Sequence, residues 1–201
     1  MEEIEKVLYS AFLFKNAEKS VEETNFSAPE KFSKGQAIYG QESYPNGIGI
    51  LLSGKAKAVS LSGEGLLTRF EKGSVFGAAA LFGDNKKYIS KIVAESDCTV
   101  QFIEQNLLEE LFKKYPEVSF NYISFLSSKI RYLNEKLAIM MEDGVEGRLY
   151  AFLLKNDGYS GKMTVLADML CIGRTSLYRS IRALEEKNLI VRNDERIKVI
   201  L

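Results

Sequence analysis

Between Phe32 and Phe102 no apolar segment is longer than a short strand, and glycine cuts in again and again. The segments are 37–39, 49–52, 56–61, 66–70, 74–76, 89–94 and 99–103, and the turns among them include SKG, YPNG, LSGK, SGEG and EKG. Many short strands at this spacing specify a compact antiparallel β-barrel or β-roll. Gly54 and Gly73 fall where hairpin turns need positive φ or close approach of chains. Inside the same region, residues 76–84 read FGAAALFGD. One short helical turn there, with accessible backbone N–H groups, would cradle an anion. The same small residues also let the chain pack closely, and the letters by themselves favour packing.

Helical periodicity flanks this region. Residues 2–15 are expected as an amphipathic helix with Ile4, Val7, Leu8, Ala11 and Phe12 on one side, followed by a polar stretch over 19–25. Residues 104–114 form another helix, and Pro116 marks the break before a long one. In that long helix Ile123, Leu126, Ile130, Leu133, Leu137 and Met140 recur at spacings of three and four, the a/d seam of a coiled coil. Docking of the helix on its own barrel would also use such a face. The regular seam, with Phe120 and Tyr122 nearby to cover a body surface, favours pairing of two chains. Asp143 and Glu146 then read as the N-cap and N3 acids of a helix running to about Lys155. Asp143 and Gly144 form the expected hinge.

The stretch 164–187, TVLADMLCIGRTSLYRSIRALEEK, carries the chemistry. Leu166, Ala167 and Leu170 give one short helix an apolar face. Cys171, Ile172 and Gly173 interrupt it, and Leu177, Ile181 and Leu184 give a second helix its stripe. Thr164 is expected to cap the first helix. A strand–turn–strand wing follows, with 189–191 paired to 197–200 and Arg192, Asn193 and Arg196 at its tip.

Two short helices joined by a tight turn suit insertion into the major groove of DNA. Arg174 sits at the leading end of the second helix, where its planar fork of donors can meet guanine O6 and N7 together. Arg179 lies on a face compatible with a second guanine or a phosphate, and Arg182 is placed for phosphate. Thr175 can read a base edge, Ser176 can bond phosphate, and Tyr178 can pack on sugar or a thymine methyl. Arg192 and Arg196 on the wing suit phosphate contact, although charge at a tight turn also serves solubility.

Composition narrows the alternatives. The 201 residues contain no histidine, which removes histidine-ligated zinc, haem with a protein histidine, and Ser-His or Cys-His catalysis. No Walker-type GxxxxGK run occurs. No cofactor, no metal and no enzymatic activity are expected. Cys98 and Cys171 are expected as buried small hydrophobes. Formal net charge is zero, but residues 148–201 carry ten Lys and Arg against six Asp and Glu, so their +4 is balanced by −4 elsewhere. A basic end on an acidic body orients itself on a polyanion. The first residues, MEEIEKV, are acidic, and no apolar run approaches the roughly 20 residues of a membrane span. A cytoplasmic protein without a membrane partner is the expectation.

The glycine-punctuated roll with FGAAALFGD, the long helix after Pro116, and LADMLCIGRTSLYRSIRALEEKNLI together resemble the Crp/Fnr family of bacterial transcription regulators. The resemblance covers essentially the whole chain. It implies an α+β protein with a cyclic-nucleotide-binding-like β-roll over 1–115, a dimerisation helix over 116–142 and a winged helix-turn-helix over 143–201. It also implies a homodimer on a pseudo-palindromic promoter site, in contact with RNA polymerase, with Arg174 and Arg179 as base readers. Thr175 stands where many members carry a glutamate, so the preferred half-site should differ from theirs.

The effector positions depart from the family pattern. Cyclic-nucleotide binders use a Gly-Glu pair for the ribose and an Arg-Ser or Arg-Thr pair for the phosphate. Here the first is Gly77 and Ala78, followed by Ala79, and the second is Tyr88 and Ile89. The pair that meets adenine on the long helix becomes Leu133 and Asn134. A buried phosphate without its arginine would cost roughly several kcal/mol. The roll is therefore expected to take a small apolar or aromatic effector, a partner protein or nothing, and not cyclic AMP. The competing reading is a ligand-binding or scaffolding module whose winged helix touches protein; the clustered arginines speak against it.

Overall fold

The computed structural model describes residues 2–40, 46–61, 65–78, 81–82, 90–193 and 196–200. The chain divides into two units, Met1–Ser128 and Lys129–Leu201. In the first, the strands are β1 (Glu30–Phe32), β2 (Ala37–Tyr39), β3 (Gly47–Ser53), β4 (Ala56–Ser60), β5 (Leu66–Phe70), β6 (Val75–Phe76), β7 (Ser90–Ala94) and β8 (Cys98–Glu104). They form two four-stranded sheets, β1-β8-β3-β6 and β2-β7-β4-β5, with every pairing antiparallel. This is the expected β-roll. β1 was not expected: its residues EKF hold a single apolar side chain, and the strand exists because Glu30 and Phe32 pair with Val100 and Cys98.

β3 shows how the roll is held. Ile48, Ile50 and Leu52 enter one core with Val7, Leu8, Leu108 and Val118 from the flanking helices. Leu51 points the other way, into a second core with Ile92, Val100, Phe70 and Phe76. A strand buried on both faces reads in sequence as an unbroken apolar run, here GIGILL. At the following turn Gly54 has φ +81°, and an added Cβ would lie 2.2 Å from the Asp97 carbonyl oxygen.

The helices of this unit are α1 (Glu2–Ser10), α2 (Glu18–Glu22), α3 (Gln105–Lys114) and α4 (Pro116–Met140). α1 ends earlier than expected, and Phe12–Phe14 forms a 3₁₀ turn instead. At 100° per residue, a continuing helix would carry Leu13 to the face opposite Val7, Leu8 and Ala11. The break lets both Leu13 and Phe14 be buried, while Phe12 turns outward against the Phe125 ring, with centroids 6.1 Å apart. α2 occupies part of what reads as a polar stretch, because Val21 and the hydroxyl-bonded Ser20 are buried. α3 begins at Gln105 because Glu104 still belongs to β8.

The second unit holds the later turns of α4, then α5 (Gly144–Lys155), α6 (Met163–Leu170), α7 (Arg174–Glu186), β9 (Ile190–Arg192) and β10 (Ile197–Val199). Leu149 and Leu153, Leu166 and Leu170, Leu177, Ile181 and Leu184, with Ile190 and Ile197, form its core. Three helices here end alike, on a left-handed residue: Asp157 (φ 51°), Cys171 (φ 52°) and Asn188 (φ 54°). In each case the next amide reaches back to a carbonyl of the last turn: Gly158 N to Leu153 O, Ile172 N to Ala167 O, Leu189 N to Leu184 O. These are Schellman ends. Of two expectations about helix starts, the one for α6 needs correction and the one for α5 holds in position. Lys162, not Thr164, precedes α6, so Thr164 lies in its first turn; Asp143 holds the N-cap position of α5 without a side-chain cap bond. Glu146 pairs with Lys187 instead.

Gly54→Ala combines a positive φ with a clash against fixed backbone. It is expected to lower stability by about 2 kcal/mol or more, read as a fall in the urea midpoint with an unchanged slope.

Candidate nucleic-acid interface

The tight turn between α6 and α7 is set by Cys171, which leaves the helix in left-handed conformation with its amide on Asp168 O at 3.2 Å. Gly173 then precedes α7 with extended backbone. α7 buries Leu177, Ser180, Ile181 and Leu184. Arg174, Thr175, Tyr178, Arg179 and Arg182 are exposed, and Ser176 is half-buried. Arg174, Arg179 and Arg182 make no hydrogen bond or ion pair among the described residues. A guanidinium carries five donors, so this face holds a dense, uncommitted donor set. Glu186 lies on the same side, at the far end of the helix.

The wing is built from β9 and β10, with Ile190 against Val199 and Arg192 against Ile197. Tyr159 extends it by an isolated bridge to Ile197, its N–H donating to Ile197 O at 2.8 Å. Arg192 is exposed and without a partner among the described residues. Arg196 is not free: its Nη2 donates to Asp157 O at 2.8 Å and stands 3.4 Å from Asp157 Oδ2. This pair holds the α5 end to the wing. Sequence reading missed Asp157, whose only signal is the NDG turn after α5. Thr164 is half-buried, in the first turn of α6.

On the roll, Gly77 has φ +90° and an added Cβ would lie 2.9 Å from Gly47 O. Ala78 is buried, and its carbonyl accepts the Tyr122 hydroxyl at 2.8 Å. Tyr122 packs against the Phe112 and Phe82 rings at 5.1 and 5.8 Å. Of the pair expected to cover a body surface, Tyr122 does so, whereas Phe120 is 70% exposed. Ala79, Tyr88 and Ile89 lie outside the described residues. Leu133 and Asn134 are exposed on α4, in the second unit. The buried polar side chains among the described residues are Ser20, Ser90, Gln101 and Ser180, with no Lys or Arg among them.

Along α4, Ile123, Ile130, Leu133 and Leu137 are 57–60% exposed, while Leu126 and Met140 are half-buried. Among the described residues no group of three or more His, Cys, Asp or Glu is placed to hold a metal, and no helix is long and apolar enough to cross a membrane.

The comparisons with known proteins agree with this architecture. Residues 29–115 match the cyclic nucleotide-binding domain. The catabolite activator protein of Thermus thermophilus superposes with a TM-score of 0.56 at 19% identity, over 94% of each chain. A CooA mutant from Carboxydothermus hydrogenoformans gives 0.62 at 16%, covering 86% of this chain and 83% of that one. CLP of Xanthomonas campestris, a c-di-GMP responsive global regulator, gives 0.60 at 14%, covering 88% and 95%. Among curated proteins none matches the sequence. At these identities the likeness is one of fold, and the chain has the neighbours' α+β architecture.

The two cysteines differ from expectation and from each other. Cys98 is buried in the roll, but Cys171 is exposed at the helix turn. Burial, with the nearby Asp97 charge, pushes the Cys98 thiol pKa up. A disulfide reagent near neutral pH is expected to titrate one thiol per native chain, at Cys171, and the second only on unfolding. Rapid titration of both would contradict this placement.

Proposed function

We propose that this chain is a DNA-binding transcription regulator of the Crp/Fnr family, acting as a homodimer on a pseudo-palindromic promoter site. The observation that carries the reading is the arginine face of α7. Arg174, Arg179 and Arg182 are exposed and uncommitted on a helix whose other side is fixed in a core. Arg174 and Arg179 are assigned to guanine edges, Arg182 and Arg192 to phosphate, and Thr175, Ser176 and Tyr178 to the groove wall. Arg196 contributes charge from its anchored position on Asp157. Thr164, at the start of α6, is assigned to the phosphate backbone.

A second copy is needed because one helix spans only a half-site. The exposed stripe on α4 supports it: Ile123, Ile130, Leu133 and Leu137, with Leu126 and Met140 at its edges, present hydrocarbon at heptad spacing. Covering each half-exposed side chain is worth about 1 kcal/mol. In this reading residues 1–115 form the effector domain, 116–142 the dimerisation helix and 143–201 the DNA-binding domain, in a cytoplasmic regulator that touches RNA polymerase. The roll does not sense cyclic AMP. Gly77, Ala78, Ala79, Tyr88, Ile89, Leu133 and Asn134 replace the polar set for a nucleotide, and an apolar or aromatic effector suits them better.

Two sets of variants test this. Arg174→Ala and Arg179→Ala are expected to lose discrimination between promoter sequences by about 1–3 kcal/mol each. Arg182→Ala should weaken all duplexes alike, as read by fluorescence anisotropy on matched and scrambled duplexes. Equal loss on every sequence for Arg174→Ala would remove its base-reading role. Ile130→Glu or Leu133→Glu should yield monomers by analytical ultracentrifugation and abolish tight operator binding. A monomer that binds the full site as well as the native chain would refute the dimer.

A further inference from the structure

Within the second unit a cleft opens where the later turns of α4 meet the C-terminal ends of α5 and α6. Its volume is about 160 Å³, close to the roughly 150 Å³ that holds one benzene ring in an engineered apolar cavity. Ile139, Phe152, Met169 and Leu170 supply hydrocarbon, and Tyr132 stands at the side. Methionine is unbranched and polarizable, so such a lining adapts to the shape of a guest.

The polar groups around the cleft are unevenly committed. Glu135 is taken by Lys155, Nζ to Oε2 at 2.6 Å. Lys136, which also lines the cleft, has neither ion pair nor hydrogen bond among the described residues, and the Tyr132 hydroxyl has none either. Two ammonium groups against one carboxylate leave a net positive charge. The C-terminal ends of three helices nearby oppose that charge in part, and some carbonyls of their last turns are engaged. Met141 N reaches Leu137 O, Asn156 N and Nδ2 reach Phe152 O, and Cys171 N reaches Asp168 O.

Met140, the last residue of the seam assigned to dimerisation, also lines the cleft, at its edge. At 100° per residue, Tyr132, Lys136 and Ile139 share a face about 150° round α4 from the line through Ile123, Ile130 and Leu137. A helix laid along that line faces away from Tyr132 and Lys136.

We propose that this cleft is a binding site for a small monocarboxylate with an apolar body of one ring or a short alkyl chain. The carboxylate meets the Lys136 ammonium and accepts from the Tyr132 hydroxyl; the hydrocarbon sits among Ile139, Phe152, Met169 and Leu170. The proposal uses neither the roll nor DNA, so it stands or falls apart from the functional reading above.

The test is an amide chemical-shift titration of the full chain with benzoate, hexanoate, benzyl alcohol and benzylamine. Benzoate and hexanoate should shift resonances at 132–140, 152–156 and 169–170, and bind about tenfold more tightly than benzyl alcohol. Lys136→Gln should weaken benzoate about tenfold and leave benzyl alcohol unchanged. Lys136→Arg, and Lys198→Gln on exposed β10, should each stay near the native value. Equal binding of benzoate and benzyl alcohol, tighter binding of benzylamine, shifts outside the cleft, or an unaffected Lys136→Gln variant would each overturn the proposal.

Discussion

The burial of Leu177, Ile181 and Leu184 against Leu149, Leu153, Leu166 and Leu170 fixes the rotation of α7 about its own axis. Burying a leucine or isoleucine side chain is worth about 1.5–3 kcal/mol, so a roll of one residue, 100°, would forfeit much of the small core. With the stripe fixed, Arg179 and Arg182 have nowhere to go but outward. The donors are thus aimed by hydrocarbon packing elsewhere on the helix. The Schellman ends at Cys171 and Asn188 complete the arrangement, stopping α6 and α7 with Ala167 O, Asp168 O, Leu184 O and Glu185 O paired. The wing then closes over the core through Ile190 and Ile197.

The same logic leaves a different surface on α4. Val118 and Tyr122 are spent on the roll, with the Tyr122 hydroxyl on Ala78 O. The stripe through Ile123, Ile130, Leu133 and Leu137 has no such partner and stays half in water. One helix offers guanidinium groups and the other offers branched hydrocarbon. In the proposed reading each surface meets its complement: a polyanion with hydrogen-bonding edges for the first, a second apolar helix for the second.

Features written in local periodicity were legible from the letters. The stripes of α6 and α7, the glycine-cut strands and the positive φ of Gly54 and Gly73 all follow from spacing and turn chemistry. What depends on a distant partner was not legible. β1 exists through its pairing with β8, α1 ends early so that Leu13 and Phe14 can reach the core, and Arg196 is claimed by Asp157 across 39 residues. The cysteines divide the same way. Cys98 is buried by the strands around it, whereas Cys171 is exposed because the turn needs a left-handed residue there, facing solvent. In the effector region the letters already lacked the charged pair for a nucleotide. The structure adds that the Ala78 carbonyl is held by Tyr122 and that no described Lys or Arg is buried.

The most direct measurement is the stoichiometry and salt dependence of duplex binding, made together on one selected operator. Two copies of the α7 arginine face and of Arg192 on one duplex predict two chains per duplex. They also predict that the logarithm of the association constant falls with the logarithm of salt concentration with a slope of about −4 or steeper. One chain per duplex, or an affinity indifferent to salt, would contradict the account.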